Sequence, residues 1–147
     1  MISQSAEYAL RVVICLATKP GVPATTVQLA AATRVPPFYL AKLMRTLVEA
    51  GVVSSRRGIN GGFQLARAPE NLSLLDVIHA ITPGSRIAHC PIEGPGSELC
   101  RLHRRLGECQ DYMDKVLGTC TVADMLQESD PVRESCTLVA EYAGGPA

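Results

Sequence analysis

Cys90, Cys100, His103 and Cys109 stand in the run HCPIEGPGSELCRLHRRLGEC, and thiolate and imidazole together can hold iron or zinc. Cys100 and His103 are three residues apart, share a helical face and can reach one metal. Cys109 is nine residues beyond Cys100, about 180° around an ideal helix. On an unbroken helix those two cysteines cannot serve one centre within a subunit. Either the helix starts later, with Cys100 in the loop, or Cys109 belongs to a hydrophobic seam or to a site shared with another subunit. For Cys109, a small seam hydrophobe and a ligand stand as equal readings. Cys100, in the first turn of a helix that Ser97 is expected to cap, is the stronger ligand candidate. Cys15 sits in an apolar stripe and reads as core; Cys120 and Cys136 are assigned no role. A thiol or zinc enzyme built on Cys100 and His103 would need an acidic third residue or an oxyanion-type glycine loop at a useful spacing. Neither is present, so the chain reads as no enzyme.

A second chemistry lies between Val35 and Arg67, in VPPFYLAKLMRTLVEAGVVSSRRGINGGFQLAR. Leu40, Leu43, Met44, Leu47 and Val48 repeat at helical spacing and predict a buried stripe after Pro36 and Pro37. The opposite face carries Tyr39, Lys42, Arg45 and Thr46. Val52–Ser55 and Phe63–Ala66 read as two short strands around a basic, glycine-tipped turn from Arg56 to Gly62. Helix followed by basic hairpin is the order of a winged helix-turn-helix. The candidate DNA-contacting set is Thr26, Phe38, Tyr39, Lys42, Arg45, Arg56, Arg57 and Asn60. Charge agrees, although the formal net charge is zero. Residues 1–67 hold eight basic and two acidic side chains, +6, and residues 68–147 hold six and twelve, −6. Screening limits each charge to roughly 8 Å at physiological salt, so the basic half attracts a polyanion whatever the acidic half does. A scaffold that leaves the wing unused would bind its partner without steep salt dependence, which separates the two readings.

These residues need a frame. Ser5 to Thr18 predicts a first helix with an almost wholly apolar body, broken by Pro20-Gly21-Val22-Pro23, and Thr25 or Thr26 caps a second through Ala32. Pro37 to Ala50 forms the third. Ser73 caps a fourth, Leu74 to Ile81, ended by Thr82-Pro83-Gly84. The fold class expected is mainly α: a winged helix-turn-helix domain over 1–84 with a two-stranded wing, a candidate cluster-binding loop over 85–96, a dimerisation helix and short C-terminal helix over 97–130, and a flexible tail over 131–147. No apolar run reaches the roughly 18 residues that span a bilayer, and Met1-Ile2-Ser3-Gln4 lacks the basic start of a secretory signal. Cytoplasm is the expected location, no membrane the expected surroundings, and the cysteines read as thiols, metal ligands or redox sensors rather than a disulfide framework.

In the long helix, Leu99, Leu102, Leu106, Cys109, Met113 and Val116 advance by three and four residues, the seam of a coiled coil. Such a seam wants a partner, and a homodimer is expected. Two reading helices related by a two-fold axis would meet double-stranded DNA at a pseudo-palindromic operator with half-sites one turn or a multiple apart.

The collinear series SAEYALRVVICLA, PPFYLAKLMRTLVEAGVVSS, RRGINGGFQLAR and LSLLDVIHAI resembles the Rrf2 family of winged-helix bacterial transcription regulators over roughly Ser3 to Gln127. The resemblance implies a homodimeric DNA-binding regulator, often a repressor, that senses redox, nitric oxide or iron–sulfur status through a cluster between the dimerisation helix and the DNA-binding domain. Arg57 is similar to a wing arginine that reads the operator groove in this family. Cys90 matches the first cluster cysteine, and Cys100 with His103 matches the last cysteine and its histidine. Glu7 matches an acidic ligand supplied by the partner subunit in some members, and Arg11 stands where one branch has a further histidine ligand. Here nine residues separate Cys90 from Cys100 and eight separate Cys100 from Cys109, a wider spacing than in three-cysteine members. That spacing leaves the cluster type open: a 2Fe–2S centre with mixed ligands is the first expectation and a 4Fe–4S centre the second. The alternative implied is a cluster-free regulator of the same type, sensing through free thiols, zinc or a small effector.

Overall fold

Small and branched apolar residues at helical spacing decide the first element. In the computed structural model, which describes residues 2–83 and 98–127, α1 (Gln4–Ala17) opens on Ser3, whose hydroxyl accepts from the Ala6 N–H at 3.2 Å. Ala6, Ala9, Val12, Val13 and Leu16 are all buried, so α1 is the central rod of the core and touches α2 (Thr26–Thr33), α3 (Pro37–Glu49), α4 (Leu74–Ile81) and α6 (Val122–Gln127). Thr25 and Gln28 close a reciprocal capping box at the start of α2, which satisfies two otherwise orphaned donors. The turn into α3 passes through Arg34 in the left-handed conformation (φ 56°) and buried Val35. In α3, Leu40, Leu43, Met44 and Leu47 are buried and Val48 is half-buried against the core, the stripe expected from periodicity.

The two-stranded wing follows. β1 (Val53–Arg56) and β2 (Gly62–Leu65) pair antiparallel with Val53 opposite Leu65 and Arg56 opposite Gly62. The ladder sits one residue nearer the tip than the sequence predicted, so Arg56 ends a strand and only residues 57–61 form the loop. A tertiary contact holds β2 to the rest of the domain. Ala24 and Phe63 exchange two backbone hydrogen bonds of 2.8 Å, and only a residue without Cβ can sit at 62 beside Ala24. A Cβ there would lie 2.7 Å from the Ala24 carbonyl oxygen, and one at Gly61 would lie 2.3 Å from that of Arg56.

A 3₁₀ turn at Pro69–Asn71 leads to α4, which Ser73 caps as expected, with Asp76 returning the bond to close a capping box. α5 (Arg101–Thr119) leaves the core, packing on α4 with none of its residues buried. The chain then returns: Leu74 N–H donates to the Cys120 carbonyl at 2.9 Å and Val122 N–H to the Leu72 carbonyl at 2.8 Å. These bonds stitch α6 beside the start of α4, with Leu72 and Val122 fully buried. The long helix was expected to begin after Ser97, which lies outside the described residues. It begins at Arg101, because Cys100 is extended (φ −62°, ψ 164°) and its carbonyl accepts the first helical bond, from Arg104 N–H at 2.9 Å. Leu99 therefore falls outside the helical seam, which starts at Leu102. The expected loop over 85–96 and tail over 131–147 also lie outside the described residues. No helix among the described residues is long and apolar enough to cross a membrane.

Candidate functional site

Two prolines shape the end of α3 that faces away from the core. Pro36 occupies the cap position and offers no side-chain bond, and Pro37 takes the first helical position, where its missing N–H costs nothing. The helix end is left with its positive pole unscreened by any capping side chain. Along the outer face run Phe38, which is 95% exposed, then Ala41, Lys42 and Arg45, all exposed. Arg45 Nε donates to Glu49 Oε1 at 3.0 Å, with both side chains well exposed. Thr26 is half-buried in the first turn of α2.

Tyr39 is placed differently from its neighbours. It is half-buried, its hydroxyl is hydrogen-bonded to Ser5 Oγ, and its ring meets Tyr8 edge-on with centroids 5.5 Å apart. Arg11 lies 5.7 Å from the centre of the Tyr8 ring and pairs with Glu7. The residue expected to face DNA is thus anchored to α1. Ser5 and Tyr8 were missed as site residues because their partner lies more than thirty positions away, and no local pattern announces such a contact.

At the wing tip Arg56, Arg57, Gly58, Ile59 and Asn60 are all exposed. Gly58 holds a positive φ of 111°, and Gly61 N–H closes the turn on the Gly58 carbonyl at 2.9 Å. The cationic tip and the α3 face are fixed relative to one another through β2, since Phe63 is bonded to the residue that leads into α2. A helix end with lysine and arginine beside a two-arginine hairpin can follow a phosphate-lined groove.

The thiol–imidazole pair is formed. Cys100 Sγ and His103 Nδ1 are 3.1 Å apart, both side chains half-buried, at the first turn of α5. Cys109 is exposed further along the helix and borders a groove of about 530 Å³ lined by Ala6, Leu75, Ile78, Leu106 and Met113. Nine residues of helix put it roughly 13 Å along the axis from Cys100, so the two do not converge. Glu7 lies on α1 with Arg11 as its partner. Among the described residues no three Cys, His, Asp or Glu side chains gather into one set; Cys90 lies outside them. On α5 the seam residues Leu102, Leu106 and Val116 are 63%, 45% and 47% exposed, and Tyr112 is 71% exposed, leaving an apolar arc that the other described residues do not cover.

Comparison with known proteins joins these parts. The NsrR transcriptional regulator of Geobacillus kaustophilus is 29% identical over 144 residues, 94% of this chain and 95% of its own length. The structure of CymR, the global cysteine regulator of B. subtilis, superposes with a TM-score of 0.73 at 27% identity, covering 88% of this chain and 98% of CymR. IscR of T. potens superposes with a TM-score of 0.72 at 26% identity, covering 90% of each chain. The family model for Rrf2, described as an iron-dependent transcriptional regulator, matches residues 2–128, which takes in both the reading edge and the thiol–imidazole helix. A winged helix-turn-helix followed by a partly uncovered helix, matched over nearly the whole described chain, makes this protein a member of the Rrf2 family of DNA-binding transcriptional regulators and no enzyme.

Proposed function

We propose that the chain works as a homodimeric, operator-specific repressor whose DNA affinity is set at the Cys100–His103 end of α5. The reading is carried by one juxtaposition: the 3.1 Å thiol–imidazole pair heads the same helix whose apolar arc no other described residue covers. Dimerisation through Leu102, Leu106 and Val116 would bury that arc and set two α3 helices and two wings against successive faces of double-stranded DNA. Lys42, Arg45, Arg56 and Arg57 supply phosphate contacts, with Thr26 and Asn60 at the margins. Arg57, at the tip, is placed to enter the groove.

Cys100 and His103 fit as two ligands of a mixed thiolate–imidazole centre, a 2Fe–2S cluster ahead of a 4Fe–4S cluster, with Cys90 as a further ligand. Such a group supplies a reversible redox couple when bound. Glu7 would join from the partner subunit only by giving up Arg11. Cys109 is read as a seam residue, because its helical position separates it from Cys100. Any displacement at the head of α5 reaches the reading edge through α4, which packs on α5, α1 and α3. A coupling of roughly 1 to 3 kcal/mol is the scale at which such a link changes operator occupancy.

The test is an ultraviolet–visible spectrum of protein purified without oxygen, with iron and acid-labile sulfide measured on the same sample and DNA binding followed against salt. Absorption between roughly 320 and 460 nm, characteristic of iron–sulfur centres, should be lost in Cys100→Ala. Colourless protein that still binds DNA would favour the second reading, sensing through the Cys100 thiol itself. That reading has its own support in the half-buried Cys100–His103 bond.

A further inference from the structure

Phe38 is 95% exposed, yet it occupies the second position of α3, where two prolines and the buried Leu40 fix the backbone. A phenyl ring held out in water on a rigid helix end has no partner among the described residues. Its companions one helical turn on, Ala41 and Lys42, are exposed on the same face, so the face is apolar at its leading end and cationic behind. DNA displays one apolar group in its major groove, the C5-methyl of thymine, and phenylalanine and alanine are among the side chains that contact it. We infer that Phe38 is a specificity-determining residue that packs on a thymine methyl in each operator half-site, with Ala41 leaving room for the base pair alongside. The inference rests on the reading of α3 as the operator-reading helix. It adds an apolar contact to the sequence preference and leaves Lys42, Arg45 and Arg56 to affinity.

Burial of one methyl group corresponds to about a fourfold change in affinity. The experiment begins with selection of duplexes from a randomised pool by the full-length protein, followed by thymine-to-deoxyuridine replacement at each position of the selected site. Uracil keeps every hydrogen-bonding group and lacks only the methyl. At one thymine per half-site the wild type should lose about fourfold in affinity, and Phe38→Ala should show no further loss at that position while binding a shuffled duplex as the wild type does. Uracil tolerated at every position, or a uracil penalty that persists undiminished in Phe38→Ala, overturns the inference while leaving operator reading intact. If no sequence is enriched from the pool, operator reading itself falls, and the inference falls with it. Because Phe38 is almost wholly exposed, its replacement leaves the core untouched; an unchanged melting midpoint confirms that the comparison is made on folded protein.

Discussion

Gly62→Ala should unfold this protein more readily than Gly58→Ala, a replacement at the tip of the same wing. At φ 152° an alanine is strained, a cost of roughly 1 kcal/mol. Its Cβ would also stand 2.7 Å from the Ala24 carbonyl oxygen and 2.8 Å from the carbonyl carbon, both backbone atoms that cannot swing aside. Relief requires the Ala24–Phe63 bridge to open, and its two 2.8 Å bonds are worth about 1 kcal/mol each. The sum is about 3 kcal/mol, against a total of roughly 5 to 15 kcal/mol for a domain of ordinary stability. Gly58→Ala provides the control, since it carries positive φ (111°) with nothing within 4 Å of the added Cβ; it should cost only the strain, about 1 kcal/mol. Urea unfolding followed by far-ultraviolet circular dichroism gives both values at constant slope. Equal losses for Gly62→Ala and Gly58→Ala would show that the bridge contributes nothing to stability and would refute the argument.

Other outcomes follow from the same geometry. Tyr39→Phe and Ser5→Ala should each cost about 1 kcal/mol, and the double variant should cost little more than either alone, because both remove one hydrogen bond; additive losses in a double-mutant cycle would show the two hydroxyls act separately. Leu102→Asp with Val116→Asp should convert a dimer to a monomer in light scattering after gel filtration while leaving the melting of the wing domain in place, since both residues are exposed in the single chain. The Thr121 N–H, bonded to Asp124 Oδ2 at 2.8 Å, holds the Asp124 carboxyl below the ordinary aspartate range, and the Thr121 hydroxyl adds to it. A lowered folded-state value means that this cap stabilises fully above the unfolded-state aspartate value and is lost as pH falls through the lower folded one. The stability difference between wild type and Asp124→Ala should therefore be level at neutral pH and vanish on acidification past the aspartate range; a difference that persisted there would assign the effect to packing.

Local signals carried most of the architecture. The 3.6-residue spacing of Leu40, Leu43 and Leu47, the Ser73–Asp76 cap and the glycine-rich arginine turn each encode their element within a few residues, and the structure has all three. What was illegible depended on partners distant in the chain. The bridge that holds β2 comes from Ala24, the turning inward of Tyr39 comes from Ser5 and Tyr8, and the late start of α5 comes from the extended Cys100 backbone. The thiol–imidazole pair was readable because three residues on a helix place side chains together whatever surrounds them. By the same rule Cys109, nine residues on, was legible only as a choice between seam and ligand; it is exposed and borders the same groove as Leu106 and Met113.

The Ala24–Phe63 bridge also bears on the shape of the DNA such a molecule can accept. Because the wing is fastened to the segment entering α2, the hairpin tip and α3 form one caliper of fixed opening within each subunit. One inserted base pair lengthens DNA by about 3.4 Å and turns it by a tenth of a revolution, and a caliper without a hinge has no way to absorb either. For the proposed dimer, tolerance to insertion should then be unequal along the operator: poor inside a half-site, where a single subunit spans the gap, and greater between half-sites, where one subunit can pivot against the other.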